Sequence, residues 1–211
     1  MLTDSLEALV AEHDRIGSSL RDELRSGTPR EQVEAAVREL GLIPPAELVE
    51  FFAWHDVDAA PGSAGRTDWF WPVGATRFVE AVDEYRHNVA LGGASPAEVG
   101  DALGPTQPPS ATFTGFWRTD WFPVFGGGET YAIECPDGGG SSPGSIWRVN
   151  WHPDPEFQTV RVAASLTEFV DRGVELFRAG AYTWSAEYHT VMTVDEVFVR
   201  LGLGTLFRPW P

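Results

Sequence analysis

Lysine is absent from this sequence of 211 residues, and all fifteen basic residues are arginine. A P-loop requires a lysine that reaches the phosphates, and pyridoxal enzymes form a Schiff base with one. Class A β-lactamases and penicillin-binding proteins need the lysine of an S-x-x-K motif. None of these three kinds of site can be built from this chain.

Cysteine is almost absent as well, since Cys135 is the only one. A single cysteine excludes an intrachain disulfide and a Cys-based zinc site, which suits the reducing cytosol. The first residues lack the basic and apolar segments of a signal peptide, no apolar run is long enough to span a bilayer, and no N-x-[ST] sequon occurs. We therefore expect a cytoplasmic protein without a membrane partner.

Positive charge is scarce, because 31 acidic residues against 15 arginines give a formal net charge of −16. Nucleic-acid binding depends on neutralising phosphates, so this charge disfavours a nucleic-acid partner and favours a basic protein. With 43% hydrophobic and 12% aromatic residues, the chain is too apolar for a disordered acidic tail and can bury a core of its own.

Helix starts are the clearest local signals in the sequence. At five positions an N-cap oxygen is followed three residues later by a carboxylate, which satisfies backbone amides that a helix leaves unpaired. These positions are Asp4, Thr28, Ser95, Ser165 and Thr193. Apolar periodicity predicts two amino-terminal helices, the second ending at Gly41, then a helix carrying Leu48 to Phe52 inward, and helices over 76–90 and 166–179.

Short apolar runs predict strands at 69–72, 121–125, 131–135, 146–149 and 160–163. Glycine-rich loops join the last four into an antiparallel meander. The predicted fold class is α+β, with a mixed, largely antiparallel sheet and helices packed on it. The domain is predicted to span 1–180, with amino-terminal helices over 4–41, a core over 42–180, a surface insertion over 91–115, and a carboxy-terminal extension over 181–211.

Four short segments, taken in order, resemble the SMI1/KNR4 family, also called the SUKH superfamily. They are LIPPAELVEFF at 42–52, WFWP at 69–72 with the helix that follows it, WFPV at 121–124 with GGGETYAIE at 126–134, and GSIW at 144–147 with SLTEFV at 165–170. The resemblance spans roughly 28–180 and implies a mixed α+β fold. For bacterial members it implies an immunity protein that neutralises a polymorphic toxin, often a nuclease.

Two other functions stay open at this point. Fungal members of the family act as regulatory interaction proteins, so a cytosolic regulatory module of the same fold is one alternative. A small hydrolase that uses carboxylate and histidine residues is the other. The chain departs from the family pattern where Trp54-His55-Asp56 replaces the usual Asn-Gly after the first helix motif.

The predicted partner-binding residues are acidic and aromatic. We expect the acidic members to lie at or near one exposed edge and to face a basic partner. Reversing the charges of Asp56 and Asp58 tests this expectation, and reversing those of Asp4 and Glu7, predicted to lie far away, is the control. The tryptophans flank an Arg-Thr-Asp turn; core packing is their leading interpretation, and a partner contact is the alternative. The set is Asp56, Asp58, Trp117, Trp121, Glu129, Glu134 and Asp137.

No catalytic, cofactor-binding or metal-binding residue is predicted. The match to G-x-S-x-G at 140–144 lacks the following helix that a nucleophile elbow requires, because a strand is predicted there. His152, Asp154 and Glu156 offer metal-ligand types, but the alternating prolines favour an extended polar loop. Cys135, in an alternating strand, is predicted to be a small buried hydrophobe.

Overall fold

The computed structural model describes residues 1–18, 20–57, 67–70, 73–94, 117–127, 130–136, 143–149, 159–188 and 190–202. Its helices are α1 (Leu2–Ile16), α2 (Leu20–Glu23), α3 (Arg30–Glu39), α4 (Ala46–Trp54), α5 (Phe78–Gly92), α6 (Leu166–Arg178) and α7 (Asp195–Arg200). None of these helices has the length and apolarity needed to cross a membrane.

Six strands form the main sheet: β3 (Thr67–Phe70), β4 (Val73–Ala75), β7 (Trp121–Gly127), β8 (Thr130–Glu134), β9 (Ile146–Val149) and β10 (Val160–Ala163). Their order across the sheet is β10, β9, β8, β7, β4, β3, and every neighbouring pair is antiparallel. The predicted four-stranded meander is therefore confirmed, as is the α+β fold class.

Three two-stranded sheets accompany the main sheet. Two are antiparallel, β1 (Leu24–Ser26) with β2 (His55–Val57) and β11 (Tyr182–Ser185) with β12 (Thr190–Thr193). The third is a parallel pair of β5 (Gly93–Ala94) with β6 (Trp117–Arg118). This pair flanks the predicted insertion, of which 95–115 lies outside the described residues.

The strands of the meander alternate their side chains between two faces of the sheet, as the pleat requires. Phe122, Ile133 and Ile146 occupy paired positions on neighbouring strands and lie in the main core with the helices. The opposite face carries a second, tryptophan-rich cluster, formed by Trp117, Trp121, Ala132 and Val149. The sheet is therefore buried on both sides along these strands.

Helices α1, α3, α4 and α6 pack in the main core through apolar residues at helical spacing. The ring of Phe51 on α4 lies 5.2 Å from Phe125 on β7, and Phe125 lies 5.3 Å from Phe169 on α6. Each fully buried phenylalanine contributes roughly 1.5–3 kcal/mol. The prediction that the amino-terminal helices and the 166–179 helix share one core with the sheet is confirmed.

Two carboxylates on successive turns of α4 bind the amino termini of two other helices. Glu47 accepts hydrogen bonds from the backbone N–H of Leu166 at 2.8 Å and the hydroxyl of Thr167 at 2.5 Å, at the start of α6. Glu50 accepts from the backbone N–H of Thr3 at 2.8 Å and its hydroxyl at 2.6 Å, at the start of α1. Because helix amino termini leave N–H groups unpaired, α4 positions α1 and α6 as well as covering the sheet.

The predicted helix start is correct for α6, one residue early for α3 and α7, and three residues late for α1. Ser165 is the N-cap of α6, and its hydroxyl accepts the N–H of Glu168 at 3.0 Å. α1 instead begins at Leu2, so Asp4 lies inside the first turn, where it pairs with the terminal ammonium at 3.3 Å. The N-caps of α3 and α7 are instead Pro29 and Val194, one residue after Thr28 and Thr193. Ser95 lies outside the described residues.

Two glycines are required by the backbone around α3 and α4. A Cβ on Gly27 would come 2.4 Å from the carbonyl oxygen of Ala53, so only glycine allows this close approach beside α4. Gly41 follows α3 with φ +83°, in the left-handed region that glycine adopts most readily. The predicted end of the second helix at Gly41 is confirmed.

The described part of the carboxy-terminal extension packs against the main core through Ala181, Tyr182, Val191 and Phe198. Tyr182 on β11 has its ring 4.7 Å from Phe177 on α6 and 5.6 Å from Phe198 on α7. The backbone N–H of Val194 also bonds to the carbonyl of Ala181 at 2.8 Å. No strand was predicted here, although Tyr182, Thr183, Trp184 and Ser185 alternate between apolar and polar residues.

Replacing Glu50 by alanine removes the acceptor for both donors of Thr3. We expect the free energy of unfolding to fall by about 1–3 kcal/mol, the cost of leaving partly buried donors unsatisfied. Glu39→Ala, which removes an exposed carboxylate from α3, should change it by less than about 0.5 kcal/mol. Urea unfolding measures both values, and equal losses would contradict the role assigned to Glu50.

The stability of the fold should also depend on pH through Glu50. The hydrogen bond from the Thr3 hydroxyl lowers the pKa of Glu50 from its ordinary value of 4.5, against the opposing effect of burial and together with the Thr3 N–H, Arg30 and the terminal ammonium. A carboxyl with a lower pKa in the folded state stabilises the fold above its unfolded pKa, and this contribution is lost as the pH falls through the folded value. Urea midpoints measured from about pH 6 to about pH 3 should therefore fall more for the wild type than for Glu50→Gln, and parallel curves would contradict this.

Candidate functional site

Asp56 is the member of the predicted acidic edge whose position is clearest. It lies on β2 directly after α4 and pairs with Arg25 on β1, while the neighbouring His55 pairs with Ser26. Nδ1 of His55 lies 2.9 Å from the carbonyl oxygen of Arg25. The β1–β2 ribbon therefore fixes the backbone that presents Asp56, whose side chain is half-buried.

Trp54, the last residue of α4, joins this ribbon to α1. Its indole N–H donates to the carboxylate of Glu7 at 2.8 Å, and its ring meets that of His55 edge-on at 4.6 Å. Trp54 is half-buried and Glu7 is exposed. We call Glu7, Trp54, His55 and Asp56 the Trp54 surface.

The choice of Glu7 as a distant control for Asp56 is wrong. Glu7 bonds to Trp54, which is only two residues before Asp56. The two acidic residues are 49 positions apart in sequence, and no local pattern indicates that α1 packs against the end of α4. The signal for Trp54 was present in the sequence, as an aromatic residue at the end of a predicted helix.

The expectation that Glu134 lies on an exposed edge is wrong, because its side chain is fully buried. One carboxylate oxygen lies 3.3 Å from Nη2 of Arg118, and the other accepts from the hydroxyl of Ser145 and the indole of Trp147, each at 3.0 Å. Register explains the burial, since Glu134 pairs with Trp121 and so points to the tryptophan-rich face. Glu134 cannot contact a partner.

Arg118 joins Glu134 to a second buried carboxylate, Asp120. Its Nε donates to Oδ1 of Asp120 at 2.8 Å, and its Nη2 donates to Oδ2 in a fork geometry. The guanidinium carbon also lies 5.3 Å from the ring centre of Trp121 and 5.9 Å from that of Trp147. The Arg-Thr-Asp turn between the tryptophans is thus part of a buried ionic cluster.

Trp117 and Trp121 pack in the interior, as their leading interpretation predicted, and the alternative of an exposed partner contact is wrong. Their exposed fractions are 0% and 1%. Their rings meet edge-on at 6.0 Å, and Trp121 stacks on Trp147 at 5.3 Å. These residues bury the second face of the sheet.

The remaining predicted site residues, Asp58, Glu129 and Asp137, lie outside the described residues, as do Ser142, His152, Asp154 and Glu156. After the G-x-S-x-G match the chain enters β9, the strand that was predicted there. Within the described ranges, no group of three histidine, cysteine, aspartate or glutamate residues is placed to hold a metal ion.

Two buried groups that could act as nucleophiles or acids are held in their neutral forms. Cys135 is fully buried, as predicted, and burial raises the pKa of its thiol. Burial likewise raises the pKa of Tyr85 to about 12, and its hydroxyl donates to the carbonyl oxygen of Thr119 at 2.8 Å. Neither group provides an anionic nucleophile near neutral pH.

No protein-family model matches this chain, and no curated protein matches it.

Removing Arg118 should destabilise the protein strongly, because two buried carboxylates would lose their cation. We expect Arg118→Met to lower the free energy of unfolding by about 3–5 kcal/mol. Arg38→Met is the matched control, since Arg38 forms an exposed ion pair with Glu34 on α3 and should cost less than about 1 kcal/mol. Urea unfolding compares the two, and similar losses would show that the buried cluster contributes no more than a surface pair.

Proposed function

We propose that this chain is a non-catalytic protein-binding domain, and specifically an immunity protein that neutralises a basic bacterial toxin. The ordered resemblance to SMI1/KNR4 segments suggests this function, and the net charge of −16 favours a basic partner. The cytoplasm is the compartment in which such a protein would meet a toxin that has entered the cell.

The observation that carries the proposal is the composition of the Trp54 surface. Two carboxylates, Glu7 and Asp56, flank a half-buried tryptophan at the junction of α1, α4 and the β1–β2 ribbon. Tryptophan contributes strongly to binding when a partner buries it fully, and carboxylates around it attract a basic surface. The indole is held by Glu7, so little side-chain freedom is lost on binding.

The two buried carboxylates are engaged within the protein. Glu134 and Asp120 bind Arg118, Ser145 and Trp147, so neither is placed to act on a substrate as a general acid or base. An immunity gene must be inherited with its toxin, so we expect a gene for a basic toxin domain beside this one. Sequencing the neighbourhood tests this, and an isolated or metabolic neighbourhood would favour a regulatory module or a hydrolase.

Charge reversal on the Trp54 surface should slow association with that toxin domain. Glu7→Arg with Asp56→Arg should lower the association rate about tenfold or more at low ionic strength, and the difference should shrink in high salt. Trp54→Ala should mainly raise the dissociation rate. Asp171→Arg with Glu175→Arg reverses the same charge at exposed positions of α6 and is the control.

Stopped-flow or surface-plasmon measurements separate the two rates. If the α6 control slows association as much as the Glu7 and Asp56 reversal, the association rate depends on the net charge of the protein and not on the Trp54 surface. If Trp54→Ala leaves dissociation unchanged, the indole is not part of the interface.

A further inference from the structure

The outward side of α5 carries a row of exposed residues that is symmetric about the middle of the helix. Val79, Asp83, Arg86 and Ala90 follow one another at spacings of four, three and four residues, which places them along one side of the helix. Val79 is 64% exposed, and the side chains of Asp83 and Arg86 are 71% and 58% exposed. We call these four residues the α5 stripe.

The α5 stripe is complementary to itself when a second copy lies antiparallel. A two-fold axis that passes between positions 84 and 85 places Val79 opposite Ala90 of the second copy, and Asp83 opposite Arg86. Because a two-fold interface repeats every contact, two Asp–Arg pairs form at its centre and an apolar pair closes each end. Ala90 is small, so the two helices can approach closely at these ends.

The charge of the α5 stripe differs from that of the chain as a whole. Two copies of a chain with a net charge of −16 repel each other, but the stripe contains one acidic and one basic residue and is locally neutral. The exposed side of α1, by contrast, carries Asp4, Glu7 and Asp14. At physiological ionic strength charges are screened beyond about 8 Å, whereas facing Asp–Arg pairs act within about 4 Å.

Within one copy, Asp83 and Arg86 already form an ion pair of 3.3 Å. This pair is exposed to solvent, and such pairs add little to stability. Exchanging the two pairs within the copies for two pairs between the copies therefore costs little. Contact between copies also removes Val79 from water, which favours association.

We propose that the chain forms an antiparallel homodimer through α5, with Asp83 of each copy paired to Arg86 of the other. This inference is independent of the proposed immunity function. A single pair of helices buries less than the roughly 1,000 Å² that stable interfaces need, so the dimer is weak and forms at micromolar or higher concentration.

Sedimentation equilibrium of the full chain tests the charge pairing. Asp83→Arg and Arg86→Asp should each raise the dimer dissociation constant about tenfold or more, because like charges then face each other. The double variant Asp83→Arg with Arg86→Asp restores complementarity and should return the constant to within about threefold of wild type. Arg38→Asp makes the same change in net charge as Arg86→Asp, at an exposed ion pair of α3, and should have little effect.

The two single reversals change the net charge in opposite directions, which separates the proposal from a general charge effect. If net charge alone controlled association, Asp83→Arg would strengthen the dimer. A chain that stays monomeric at all concentrations would overturn the proposal, and so would a double variant that fails to restore dimerisation. Circular dichroism checks that the exposed substitutions leave the fold intact.

Cross-linking tests the antiparallel register without changing any charge. A Val79→Cys chain mixed with an Ala90→Cys chain should form a disulfide-linked dimer on mild oxidation, because these positions face each other. Either variant alone should not, since identical positions lie about 16 Å apart along the helix axis, beyond disulfide reach. Cys135 is buried and does not compete. Cross-linking of either variant alone as fast as of the mixture would overturn the register.

Discussion

The packing of this protein depends on α4, a nine-residue helix that contacts the sheet on one side and two other helices through its glutamates. Its phenylalanines pack against the sheet, while Glu47 and Glu50, one turn apart, bind the amino termini of α6 and α1. A negative side chain at a helix amino terminus satisfies unpaired N–H groups and interacts favourably with the helix dipole. The same two helices then meet each other, with the ring of His13 on α1 lying 4.7 Å from Phe177 on α6.

Several carboxylates form hydrogen bonds or ion pairs within the protein and are therefore not available to a partner. Glu47 and Glu50 act as helix caps, and Asp120 and Glu134 share Arg118 in the buried cluster. The net charge therefore overstates the charge that a partner meets at the described surface. Among the described residues, long-range electrostatic attraction can come only from exposed carboxylates such as Glu7.

The high tryptophan content has a structural explanation on the second face of the sheet. Trp121 and Trp147 lie there beside the guanidinium of Arg118, and Trp117 packs edge-on against Trp121. An arginine in such a place needs both hydrogen-bond acceptors and a flat apolar surface, and the two carboxylates and the indoles supply them. This face binds the β6–β7 turn to β8 and β9, which stabilises the sheet away from the helices.

Local patterns in the sequence predicted the longer helices and the strands of the meander, because helix and strand periodicity and the cap of α6 at Ser165 depend on residues only a few positions apart. They also predicted that Cys135 is buried. Tertiary structure alone decided the roles of the charged residues. Glu47 caps a helix that starts 119 positions later, Glu134 is buried on the inner side of its strand, and Glu7 accepts a hydrogen bond from Trp54. The physical reason is that a charge is stable either in water or beside a partner, and the partner is brought close only when distant segments pack together.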